Sequence, residues 1–369
     1  MNFLIAPNAF KGTISAQKAS DLIQEAIYEI LPNSSCIAQP IADGGDGTCE
    51  LLLESLNLKR VSFPSLNAIG QPCTGFFGWD EIGEKAYLDV STCSGLGLLT
   101  EDQKNPWLAS TYGTGLMINF AQKMGAKEIV MGLGGSATID LGTGILAGLG
   151  FEFLDDKGRL IPVYSSQWMT KVKYVQLPIP RPKLKFTCLC DVQNMFYGQE
   201  GAIPVYGPQK GLKPEEIKDF ENMVSDLHQL LLAKANKEKR DVPGFGAAGG
   251  IAMGLSTFFE VAIEYGATYF FDQVRMEEKI KSADWVITGE GRYDSQSSQG
   301  KGSFELLQLA KKNRKRIALI TSGREGDHAG FDLVLNLPVL DFNSFNLEKE
   351  AQFNLSSLMK EALKSDKFF

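Results

Sequence analysis

Ile129-Val130-Met131-Gly132-Leu133-Gly134-Gly135-Ser136-Ala137-Thr138-Ile139-Asp140 runs from an apolar segment into glycines, hydroxyls and a carboxylate. Ile129 to Met131 reads as a buried strand. Gly132, Gly134 and Gly135 then allow positive φ and a close backbone approach to a ligand. Ser136 and Thr138 offer hydroxyls, Asp140 a carboxylate, and Ile145-Leu146 opens a helix. Strand, glycine turn, hydroxyls and helix N-terminus together make a place for an anion. A tight strand-to-helix turn without a ligand is the plainer reading of the same residues. The stretch fits neither the phosphate-loop pattern G-x-x-x-x-G-K-[ST] nor the dinucleotide pattern G-x-G-x-x-G.

The surrounding chain has 369 residues, enough for two domains, with 44% hydrophobic and 22% charged residues. A net charge of −7 argues against a nucleic-acid surface and gives no attraction to a membrane. No apolar run is long enough to span a bilayer. Met1 to Pro7 lacks the basic start and the length of a signal peptide. The six cysteines are scattered without a C-x-x-C pair, which suggests neither a zinc site nor a disulfide scaffold and fits a reducing cytoplasm. With only two histidines, His228 and His328, chemistry at neutral pH must lean on carboxylates, lysines and backbone dipoles.

Outward from the glycine turn, strands and helices alternate at both ends of the chain. Phe3 to Ala6 is a strand, and apolar residues from Ala19 to Ile30 recur at helical spacing, with Thr13 or Ser15 as cap and Pro32 as stop. Lys11 sits in the loop between them, placed for an anionic ligand or simply solvated. Cys36 to Ile41 is a second strand. It leads into Asp43-Gly44-Gly45-Asp46-Gly47-Thr48, whose carboxylates could hold Mg²⁺ through its waters, receive polyol hydroxyls, or cap the next helix. From Phe63 to Ser91 the pattern turns to short aromatic strands of an antiparallel or mixed sheet.

Lys185 to Cys190 reads as another core strand, with Asp191 at its exit. Tyr206 to Gly211 is a turn carrying one cation, Lys210. A long amphipathic helix starts at Pro214, and the small residues Gly244 to Gly250 precede an apolar helix reaching about Glu264. Asp284 to Thr288 then repeats the buried-strand pattern, followed by Glu290, Arg292 and Asp294, and by Lys301 before a helix. The fold expected is α/β, with two α/β domains. One is a three-layer parallel-sheet domain built from residues 1–65 and 270–369. The other, 66–269, is inserted and carries a mixed sheet. Ligands of open α/β sheets bind beyond the carboxyl ends of the strands. Carboxylates, lysines and backbone donors without histidine suit phosphoryl transfer, and equally a phosphatase or a sugar-phosphate binder.

The loops, taken in order, resemble the signature segments of the bacterial glycerate kinase family of the two-domain type. Ala6 to Ala16, Asp43 to Thr48, Tyr112 to Gly115 and Gly132 to Thr138 carry the likeness. So do Cys190 to Val192, Tyr206 to Gly211, Gly246 to Gly250, and Thr288 to Arg292 with Asp294 and Lys301. Against the family pattern Asn8 and Gln193 each replace an aspartate, Ile139 an asparagine and Leu141 a glycine. The resemblance implies ATP-dependent phosphorylation of D-glycerate at its 2- or 3-hydroxyl, Mg²⁺ dependence, and an active site in a cleft between two domains.

The roles it suggests are catalytic for Asp191, Asp294 and Lys11. Gly134, Gly135, Ser136, Thr138, Lys210 and Lys301 would bind the nucleotide. Asp43, Asp46, Glu290 and Arg292 would bind substrate, and Asp43, Asp46 and Asp191 the metal. D-glycerate and ATP are the expected partners, with no nucleic acid and no membrane, and a homodimer is the candidate assembly. Rival readings are a non-catalytic sugar-acid or nucleotide sensor on the same fold, and a sugar-phosphate phosphatase or isomerase.

Overall fold

The computed structural model describes residues 1–293, 302–365, 367 and 368. The chain forms two compact units, one of Met1–Asp43 with Tyr265–Phe369 and one of Gly44–Glu264. In chain order the strands are β1 (Asn2–Ile5), β2 (Ser35–Ala38), β3 (Lys59–Leu66), β4 (Pro72–Asp80), β5 (Lys85–Asp89) and β6 (Glu128–Gly132). There follow β7 (Glu152–Leu154), β8 (Tyr174–Gln176), β9 (Lys185–Cys190), β10 (Glu260–Tyr265), β11 (Trp285–Arg292), β12 (Arg316–Ser322) and β13 (Leu333–Leu337).

The first unit is built on a five-stranded sheet in the order β13-β12-β11-β1-β2, parallel throughout. Its inner strands are buried almost end to end, as parallel strands covered on both faces must be. The helix Ala16–Ile30 buries Ala19, Ile23, Ala26 and Ile27 and is capped by Ser15, whose hydroxyl accepts the Lys18 N–H at 3.2 Å. It packs with the helix Leu347–Lys364 over a core of Phe3, Ile5, Ile287, Ile320, Leu355 and Met359. The helices Met276–Ser282 and Gly302–Lys312 pack on β1, β11 and β12. The step from β1 to β2 runs one way across the sheet, and the steps from β11 to β13 run the other. Right-handed crossovers in opposite directions put their helices on opposite faces and part the loops between β1 and β11.

The second unit has a six-stranded sheet in the order β10-β9-β6-β5-β4-β3. The pairs β3/β4 and β4/β5 are antiparallel, and β5/β6 and β6/β9 are parallel, so the sheet is mixed as its aromatic, glycine-interrupted strands suggest. The unit begins at Gly44, since the helix Thr48–Ser55 packs on β4 and β5 and β3 pairs with β4 along its length, whereas the composition changes near residue 66. One expectation fails here. The apolar helix thought to reach Glu264 covers only Ile251–Ser256, and Glu260–Tyr265 is the edge strand β10. Half-buried Val261 and Ile263 alternate with exposed residues, a period-two pattern that a helix reading passes over. No described helix is long and apolar enough to cross a membrane.

Candidate active site

In the second unit the glycine turn follows β6 and packs against its own neighbours. A Cβ on Gly134 would lie 2.4 Å from Gly45 Cα, and one on Gly135, at φ +66°, 2.0 Å from an Asp46 carboxylate oxygen. The Gly134 N–H donates to Gly44 O at 3.2 Å. These glycines are therefore required first by the acidic loop lying on the turn. The turn is also pinned from the other side, by Leu96 N–H to Gly135 O and Ala137 N–H to Ser94 O, both 2.8 Å.

Asp140 anchors the end of the turn. Its fully buried carboxylate accepts the Thr111 N–H (2.8 Å) and hydroxyl (2.9 Å) and the N–H groups of Gly142 (3.1 Å) and Gly144 (3.2 Å). It thus ties the start of the helix Tyr112–Lys123 to that of Thr143–Gly148, and its hydrogen-bonding capacity is committed to the protein.

Gly134, Gly135 and Ser136 line a cavity of about 120 Å³ together with Asp191, Tyr206 and Lys210. Asp191 arrives there at the carboxyl end of β9, while Lys210 comes from the single turn Pro208–Lys210. Lys210 is 3% exposed, and its ammonium donates to Thr138 O at 2.8 Å and to Ser136 Oγ at 3.3 Å. Burial pulls its pKa down to about 7, with Asp140 pulling the other way. Thr138 is fully buried behind the turn and contributes that carbonyl to Lys210.

The first unit has a wider cavity, about 620 Å³, at the carboxyl ends of its parallel strands. Lys11, Asp43, Glu290 and Arg292 all line it. Asn8 donates from Nδ2 to Asp43 Oδ2 at 2.8 Å and accepts the Ala9 N–H on Oδ1 at 2.8 Å. Its amide therefore orients a carboxylate, a task an aspartate in its place could not perform by donation. Arg292 pairs with Glu325 at 3.0 Å on the exposed side. Asp46 belongs to the second unit and is exposed beside Gly135. Asp294 and Lys301 lie outside the described residues.

Sequence reasoning passed over Ser322, Arg324 and the apolar residues Leu337 to Leu340 and Phe342, all of which line the wider cavity. Each lies at or just beyond the carboxyl end of a strand of the parallel sheet, and Ser322-Gly323-Arg324 repeats the glycine-plus-cation ending already visible at Gly289 to Arg292. In the smaller cavity Tyr206 and Gln209, from the turn already singled out for Lys210, stand beside it without a role read from the sequence. His228 serves neither: it is buried, with Nδ1 2.8 Å from the Tyr197 hydroxyl, and burial lowers its pKa to about 4.

The model of the glycerate kinase family matches residues 3–362. A glycerate kinase of Haemophilus influenzae is 34% identical over 90% of this chain and 89% of its own length. The glycerate 2-kinase of Escherichia coli is 31% identical over 89% and 86%. Among solved structures, that of a putative glycerate kinase 2 from Salmonella typhimurium LT2 superposes with a TM-score of 0.84 at 28% identity, covering 100% of this chain and 98% of that one. A family match that runs almost end to end, on a fold and a set of loops that hold carboxylates, cations and backbone donors without histidine, means that this chain belongs to the glycerate kinase family.

Proposed function

We propose that this glycerate kinase transfers the γ-phosphoryl group of ATP to the 2-hydroxyl of D-glycerate, with Mg²⁺ as its divalent cofactor. The observation that carries the reading is Lys210, a buried ammonium whose hydrogen bonds go to neutral oxygens rather than to a carboxylate. Burying a cation in this way is costly, and the cost is offset when an anion arrives. The pocket around Lys210 already supplies turn amides and the Asp191 carboxylate.

In the reaction the glycerate hydroxyl oxygen bonds to the γ-phosphorus as the bridging bond to the β-phosphate breaks, and ADP leaves. Asp191 accepts the hydroxyl proton. Lys210 and the amides of Gly135 and Ser136 stabilise the charge that builds on the phosphoryl oxygens. Lys11 and Arg292 neutralise anionic groups in the wider cavity.

Among the described residues no group of three or more His, Cys, Asp or Glu could hold a metal. Mg²⁺ on a nucleotide needs only one or two carboxylates besides the phosphates. Asp43 and Glu290, both 7% exposed and lining one cavity, fit that requirement. When bound there, Mg²⁺ supplies charge neutralisation on the phosphates. The 2-position is supported by the likeness to the Escherichia coli glycerate 2-kinase.

The test is ADP release with D-glycerate followed by phosphorus NMR of the product. We expect glycerate-dependent ADP and 2-phosphoglycerate. A 3-phosphoglycerate resonance would overturn the regiochemistry, and absence of glycerate-dependent ADP would overturn the kinase reading.

A further inference from the structure

The two cavities differ about fivefold in volume, 620 against 120 Å³. A three-carbon acid fits the smaller one. The larger lies in the range that holds a ligand of nucleotide size. It sits where the sheet order reverses, between the loops after β1 and the end of β11, the place at which open α/β sheets take their ligands. Its walls are of two kinds. Lys11, Arg292 and Arg324 are cations. The end of β13 and the segment after it contribute the apolar residues Leu337, Pro338, Val339, Leu340 and Phe342, with Val339 91% and Phe342 68% exposed. Exposed apolar side chains and cations lining one cavity match a molecule with a flat apolar end and an anionic end.

Resting on the kinase reading above, we propose that the first unit's cavity is the nucleoside site, with the base of ATP lying against Val339 and Phe342. The aromatic ring of Phe342 offers a face for stacking, and Val339 covers the base edge. Arg324 and Lys11 take the anionic end, and Arg292 can exchange its exposed partner Glu325 for a phosphate oxygen. The slot discriminates ligands by the base, so inorganic tripolyphosphate, which carries the charge without the base, is the informative comparison.

The test uses the full-length protein with Val339→Ser and Phe342→Ala, neither of which changes the charge of the cavity. Both side chains are largely exposed, so the fold should tolerate the changes. Steady-state kinetics should show KM for ATP raised about tenfold, the loss expected for one stacking contact, with KM for glycerate within about twofold of wild type. Calorimetry should show weaker ATP binding in both variants and unchanged binding of tripolyphosphate. An unchanged KM for ATP in both variants, or a rise in KM for glycerate instead, overturns the assignment. If the wild-type protein gives no turnover with glycerate while ATP affinity still falls in the variants, the nucleoside site stands and the glycerate reading falls.

Discussion

The wider cavity of the first unit and the narrow one of the second keep their cations in opposite ways. Lys11, Arg292 and Arg324 are exposed, and Arg292 is paired with a half-exposed glutamate. Such groups stay charged at little cost, and each adds little, because water screens them. Lys210 is buried, bonded to neutral oxygens and pulled down to a pKa of about 7. Its charge is expensive to hold and correspondingly strong when a ligand anion stands beside it. The exposed set suits gathering a polyanion, and the buried lysine suits stabilising one developing charge.

The largest expected effect tests whether the narrow pocket is where the chemistry occurs. Asp191→Asn keeps the shape and removes the proton acceptor, so kcat should fall by about 10²–10⁴ while thermal unfolding is unchanged. Near-normal turnover would move the base elsewhere and end the distinction drawn between the pockets.

Next comes Lys210→Met, which keeps the bulk and removes the charge. We expect kcat/KM to fall by about 10²–10³ with stability equal to wild type or higher, since the desolvation cost disappears. In the wild-type protein the cation is lost as pH rises through about 7, so kcat/KM should decline above that value. Stability moves the other way. Between about pH 7 and 10.5 the unfolded chain carries a proton on Lys210 that the folded chain does not, so unfolding free energy from this group rises with pH. A flat kcat/KM profile from pH 6 to 9 would show that the buried lysine is a structural feature only.

The smallest effect concerns Asp89, at the end of β5 beneath the acidic loop. Its buried carboxyl accepts the Cys49 N–H at 2.9 and 3.2 Å, and burial raises its pKa to about 8. From about pH 4 to 8 the folded chain holds a proton that the unfolded chain has lost, so stability from this group falls as pH rises. Asp89→Asn should remove that slope, leaving the variant level with wild type near pH 4 and on the order of 1–3 kcal/mol more stable at pH 8. Denaturant midpoints at the two pH values measure it, and parallel slopes would exclude the effect.

Much of the frame was legible beforehand because it rests on local periodicity. Continuous apolar runs such as Trp285 to Thr288 mark strands buried on both faces, and the 3.6-residue spacing from Ala19 to Ile27 marks a helix with one buried side. The period-two run at Glu260–Tyr265 reads as helix in the sequence because it is short and comes soon after the apolar helix Ile251–Ser256. The roles of polar residues were less legible. Asp140 and Asp191 both sit in loops after core strands, yet one is an internal anchor with four hydrogen bonds and the other lines a cavity.

The sequence by itself determined the α/β class and the family, because both are written in the order and spacing of neighbouring residues. Tertiary structure alone decided that Lys210 would be buried against Thr138, 72 positions away, and that Val339 and Phe342 would line one cavity with the loop after the first strand. Burial and the dielectric it creates depend on what distant segments bring to the same place, and no local pattern records that.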